Sequence, residues 1–249
     1  GGFVIFTMVS TLGLPPMVGV LVAVIACTVL GVVIERVAYK PLRGASSLAV
    51  LITAIGVSYL LQNVALLIFG SNARQFTSVV NVPSLKLAGG ALSISGVTLV
   101  TIITCIVIMV ALTTFINKTR VGQAMLAVSE DTGAATLMGI NVNSTIAITF
   151  AIGSALAAIA GALLCSAYPS LTPYTGSMPG IKAFVAAVFG GIGSIPGALI
   201  GGVLLGVIEN LSKAYISSQL SDAIVFAVLI VVLLVRPTGI LGKKLNEKV

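Results

Sequence analysis

MVGVLVAVIACTVLGVVI, residues 17–34, carries no charge over eighteen positions, and its reading decides the fold. As a helix rising 1.5 Å per residue it would reach about 27 Å, close to the ~30 Å hydrocarbon thickness of a bilayer. Pro15-Pro16 stand at its entry, where a fixed φ suits a first helical turn. ERVAYKPLRGASS follows, with Glu35, Arg36, Lys40 and Arg43. The same alternation of apolar run and polar stop continues along the chain. Residues 48–69, 97–116 and 146–168 are three further runs of spanning length.

Composition agrees with this reading. Hydrophobic residues make up 58% of the chain and charged residues 8%, and the mean hydropathy is +1.20. A soluble domain carries charge at about a quarter of its positions, so most of this surface must meet lipid. The fold class expected is an all-α polytopic transmembrane bundle with some short or broken helices. The 249 residues are expected to form one transmembrane domain, 1–249, with room for about seven or eight spans. The apolar start GGFVIFTMVSTLG is half a span long and reads as a truncated beginning, with no basic n-region of a signal peptide.

Several chemistries drop out. The chain has no His, and Cys27, Cys105 and Cys165 stand alone in apolar runs. Zinc spacing is missing, and a nucleophile paired with His cannot be assembled, so no catalytic residue, metal or cofactor is expected. The net charge of +7 is spread over short loops. That distribution orients a membrane protein and makes nucleic acid a poor partner. Alternating spans put Arg36, Lys40, Arg43, Lys118, Arg120, Arg236, Lys243, Lys244 and Lys248 on one side. Arg74, Lys86, Lys182 and Lys213 fall on the other. The first set is therefore cytoplasmic, together with the loop 117–145 and the basic tail 236–249.

Within that loop, GQAMLAVSEDTGAATLMGINVNST reads as a short capped helix beside the membrane. Ser129 is expected to cap it, Glu130 and Asp131 to occupy its first turn, and Gly139 to end it in the left-handed region. Ala134, Ala135, Leu137 and Met138 would then offer a small apolar surface that calls for a partner protein. The plainer reading is a helix lying on lipid headgroups, which acidic residues at its start disfavour.

GGIGSIPG, residues 190–197, lacks the Lys-Ser/Thr and the preceding strand of a phosphate loop. Gly190, Gly191, Gly193, Pro196 and Gly197 instead read as a helix break, serving close packing first and a translocation path second. The flanking runs, 181–189 and 198–211, are either two short helices or a segment that dips in and returns. Gly197, Gly201, Gly202 and Gly206, and likewise Gly153, Ala157 and Gly161, have the spacing that lets helices approach closely. Polar groups inside spans are few. Gln62, Asn63 and Glu209 are pathway candidates, although Glu209 near a helix end has Lys213 within reach.

ERVAYKPLRG, LITAIGVSYLLQN, AVSEDTGAATLMGIN, PGIKAFVAAVFGGIGSIPGALIGG and RPTGILG, taken in order, resemble one family. It is the membrane permease of bacterial branched-chain amino-acid ABC importers, in the version paired with a second permease. The resemblance covers residues 3–249, and it implies a further helix and an apolar stretch ahead of residue 3. It also implies a cytoplasmic-membrane importer of leucine, isoleucine or valine. The expected partners are a second homologous permease, two ATPase subunits and an extracytoplasmic binding protein. Residues 127–140 would be the coupling helix, with Ala127, Glu130, Asp131, Ala134, Ala135 and Gly139 at motif positions. Three alternatives stay open on the residues themselves: a self-sufficient secondary transporter or channel, a non-transporting membrane scaffold, and an ABC permease for a sugar or an amide.

Overall fold

The structure is a computed structural model that describes residues 1–80, 82–87, 92–236 and 238–242. Ten α-helices are ordered along the described chain, with four strands of two or three residues. Five of the helices are long and apolar enough to cross a membrane. The protein is an all-α polytopic membrane protein. It divides into two compact units, Gly1–Thr104 with Phe115–Thr175, and Cys105–Thr114 with Gly176–Val249.

In the first unit, α1 (Gly2–Phe6) is prolonged by a π-helical turn, Thr7–Thr11. It packs on α2 (Pro16–Ile34) and on α7 (Val142–Ala167). Gly31 is what lets α2 and α7 approach, since a Cβ there would overlap the Ser154 hydroxyl. Below it the Tyr39 and Phe150 rings meet at 4.9 Å. Ile5, Ala23, Ala162 and Cys165 form the buried centre of the unit, closed by Phe76 and Leu171. The span that begins in α2 does not stop at Ile34. It continues through a π-helical turn, Glu35–Tyr39, and a 3-10 turn, Lys40–Leu42. Pro41 lacks the N–H that an α-helix would need there, and the tighter turn brings the chain round.

α3 (Ser47–Phe69) and α4 (Gly96–Lys118) are the next two apolar helices. Between them the polar stretch forms β1 (Arg74–Gln75) and a hairpin of β2 (Leu85–Leu87) and β3 (Leu92–Ile94). β1 pairs antiparallel with β4 (Ser170–Leu171), beyond the end of α7. The Ser166 hydroxyl adds a bond to the Val79 N–H at 3.2 Å.

The second unit holds α8 (Ser177–Gly190), α9 (Ile195–Tyr215) and α10 (Ser221–Val235). Val185, Phe189, Leu205 and Val225 are its buried apolar residues. α8 and α9 form an antiparallel hairpin whose contact is made by glycines. A Cβ on Gly190 would collide with the Gly197 carbonyl, and one on Gly201 with the Ala186 carbonyl. The break at the glycines therefore separates a helix of 14 residues from one of 21. The small-residue stripes are only partly in use. At Gly153 and Gly206 an added Cβ would meet nothing within 4 Å. On α7 the close contact is carried instead by the neighbouring Ser154 and Ala158, against Gly31 and Gly1.

Candidate functional site

The loop 117–145 holds two short helices between the end of one span and the start of the next. α4 ends at Lys118, and Thr119 takes an extended conformation (φ −106°, ψ 151°) that stops it. The Thr119 hydroxyl donates to the Phe115 carbonyl at 2.7 Å and accepts from the Gly122 N–H at 3.0 Å, so one side chain ends α4 and caps α5 (Arg120–Glu130). Gly122 faces the backbone of Phe115 and Ile116 so closely that a Cβ would collide with it. α5 lies against α7, with Val128 buried.

Asp131 then takes an extended conformation (φ −157°, ψ 109°) and caps α6 (Thr132–Leu137). Its Oδ1 accepts from the N–H groups of Gly133 at 2.8 Å and Ala134 at 3.0 Å. The capping residue is thus Asp131 and not Ser129, whose hydroxyl donates back to the Leu126 carbonyl inside α5 at 2.7 Å. Glu130 is the last residue of α5, and the expected helix over 127–140 is two helices broken at Asp131. The physical reason is the carboxylate. Two residues before a pair of free N–H groups, it satisfies them better than a continued helix would.

At the other end Gly139 has φ +80°. The Gly139 N–H bonds the Thr136 carbonyl and the Ile140 N–H bonds the Ala135 carbonyl, both at 3.0 Å. Those two bonds are a Schellman cap. Asn141 follows as the cap of α7, accepting from the Ser144 N–H at 3.1 Å. Ala135 is the residue α6 buries, while Ala134 faces outward. Leu137 and Met138 are 90% and 82% exposed. Two large apolar side chains therefore project from a helix end fixed at both termini.

Beside this segment lies a feature that sequence reasoning missed. Glu35, read above as part of a basic loop, is 1% exposed. Its Oε1 accepts from Arg43 Nη2, and Arg43 Nη1 donates to Asn143 Oδ1. The signal available was a lone acid at the head of a basic loop, but nothing in its spacing showed burial.

The glycine break is occupied by the chain itself. Gly191 and Gly193 take φ of +112° and +88°, and the Ser194 hydroxyl caps α9 by accepting from the Gly197 N–H at 3.1 Å. Pro196 sits in the first turn, where no N–H is needed. The carbonyls of Phe189 and Gly190 accept from Ile240 and Leu241 at 3.0 and 2.9 Å. Ile240 and Leu241 thus close the end of α8.

Glu209 lies in a chain of four charges on the second unit. Its Oε1 is 2.5 Å from Lys213 Nζ and 2.8 Å from Lys182 Nζ, and Lys182 is 2.7 Å from Asp222 Oδ1. Gln62 and Asn63 make their bonds within α3, to the Ser58 hydroxyl at 3.3 Å and the Tyr59 carbonyl at 2.8 Å. They belong to the first unit and Glu209 to the second. Among the described residues no group of three or more Cys, Asp or Glu could hold a metal ion.

Residues 1–233 match the family described as branched-chain amino acid transport system, permease component. The chain belongs to that permease family. It is 47% identical over 233 residues to the high-affinity branched-chain amino acid transport system permease protein LivH of Salmonella typhimurium, covering 93% of this chain and 76% of LivH. LivH of Escherichia coli is 47% identical over 229 residues, covering 91% and 74% of the two chains. BraD of Pseudomonas aeruginosa, another high-affinity branched-chain amino acid transport system permease protein, is 42% identical over 254 residues, covering 99% and 83%. No solved structure is significantly similar. As a permease of this family, the chain supplies membrane spans to a transport system.

Proposed function

We propose that this permease is one of two homologous membrane subunits of an ATP-driven importer for branched-chain amino acids. The solute is delivered by an extracytoplasmic binding protein, and ATP is hydrolysed by two cytoplasmic subunits. The observation that carries this reading is α6, capped by Asp131 at its start and by Gly139 beyond its end, with Leu137 and Met138 exposed. A helix held at both ends is stiff, and exposed apolar side chains at its tip fit a protein groove. ATPase closure would push α5 and α6, and α7 would carry the displacement into the bundle. Opening is then a shift between inward- and outward-facing populations. The low charge of the spans suits a zwitterion with an aliphatic side chain, which crosses transiently. The C-terminus lies on the cytoplasmic side of a bacterial inner membrane in this reading, which the excess of Lys and Arg in the loops and tail supports.

The test is co-purification from mild detergent together with reconstituted uptake of labelled leucine. The unmodified protein is expected to bring down an ATPase and a second permease, and to take up leucine only with ATP and the binding protein. Leu137→Asp with Met138→Asp should abolish ATPase recovery and uptake while leaving the second permease bound. ATPase recovery unchanged by both substitutions would remove α6 from the docking role.

A further inference from the structure

Arg43 is held by two of its three nitrogens. Nη2 donates to Glu35 and Nη1 to Asn143, whereas Nε is buried with no acceptor. The Glu35 side chain is 2% exposed and that of Arg43 24%. A guanidinium and a carboxylate pair best side-on, through two parallel N–H groups. Here the carboxylate takes one N–H from Arg43 and leaves a second, adjacent donor unused in a buried place. Rotating the guanidinium would give Nε the Glu35 carboxylate and would drop Asn143. The exchange gives the buried Nε an acceptor and returns the exposed Asn143 amide to water.

The position of the partners gives this exchange a consequence. Asn143 is the second residue of α7, and only Met138–Asn141 separate its helix from α6. Those four residues are fixed by the Schellman bonds and by the Asn141 cap. Movement of α6 must therefore move Asn143. Glu35 begins the π-helical extension of α2. Arg43 thus joins the first residues after the docking segment to the end of a different span.

We propose that Arg43 is a positioning residue of the transport cycle, bridging Glu35 to Asn143 in one state and closing on Glu35 alone in the other. The inference rests on α6 being the docking segment. It adds how displacement of that segment reaches α2.

The test uses the complete complex, reconstituted with its ATPase and binding protein, and measures solute taken up per ATP hydrolysed. Asn143 is exposed, so Asn143→Ala should assemble normally and hydrolyse ATP at a rate within about two-fold of the unmodified complex. Its uptake per ATP should fall by about ten-fold, the order of a coupling free energy carried by one contact. Asn143→Gln, which keeps the acceptor, should recover most of the loss. Arg43→Lys keeps a cation beside Glu35 but cannot fork, and should uncouple as Asn143→Ala does. Unchanged uptake per ATP in Asn143→Ala would overturn the proposal, and so would loss of the ATPase from that variant, because the contact would then only shape the docking surface. An unmodified complex whose uptake ignores ATP would instead remove the docking reading, and this inference with it.

Discussion

At Gly31 an added Cβ would overlap the Ser154 hydroxyl and stand 2.6 Å from the Ser154 Cβ and 3.2 Å from the Phe150 carbonyl. The obstruction is mostly one small side chain, which makes the contact testable by a pair of changes. Gly31→Ala should destabilise the protein by about 1–3 kcal/mol, the usual cost of overpacking. Ser154→Gly in the same chain should return most of it, as read by thermal unfolding in detergent. Gly153→Ala should be near neutral in the same assay, since nothing lies within 4 Å of its added methyl. Gly122→Ala has no such rescue, because the colliding atoms are the backbone of Phe115 and Ile116. It should open the turn between α4 and α5 and cut the yield of folded protein. The glycine spacing in the sequence marked Gly197 and Gly201 alongside Gly153 and Gly206. Spacing fixes which residues share a helix face, but the neighbour that fills the notch decides which glycine is needed.

α6 is a single element of six residues whose existence depends on its ends. Asp131→Ala removes the acceptor for two N–H groups, a loss of about 1 kcal/mol, and should weaken ATPase affinity by roughly five-fold. Asp131→Asn keeps an acceptor and should stay within about two-fold of the unmodified protein in the same titration. The helix end at Gly139 was legible in the sequence, because a glycine after an apolar residue is what a left-handed cap requires. The break at Asp131 was not. Ser129, Glu130 and Asp131 are all good residues for a helix start, and only the extended backbone at Asp131 selects among them. α5 was also missed, though Val121, Ala124, Met125 and Val128 recur at i, i+3, i+4 and i+7, the spacing of an amphipathic helix. The long spans were easy by comparison. Eighteen or more uncharged residues leave little choice of structure in lipid.

Across the first unit, contacts between distant loops sort the chain into two ends. Arg43 bonded to Asn143 puts the loop after α2 beside the start of α7. β1 paired with β4 puts the loop after α3 beside the end of α7. The sidedness proposed from the Lys and Arg count predicts that the first end is cytoplasmic. With Cys27, Cys105 and Cys165 replaced by Ala, a cysteine introduced at Ser170 should react with an impermeant maleimide in spheroplasts. One introduced at Thr132 should react only in inverted vesicles. The buried Glu35 shows where such counting stops. Sequence assigns a charge to a loop, whereas folding decided that this one sits inside, next to Arg43.

The most direct measurement places a photo-activated cross-linker at Leu137 and irradiates native membranes. One dominant adduct, an ATPase subunit, is expected, weakened when α6 loses its Asp131 cap. An adduct with lipid alone, or with a protein outside the cytoplasm, would contradict it.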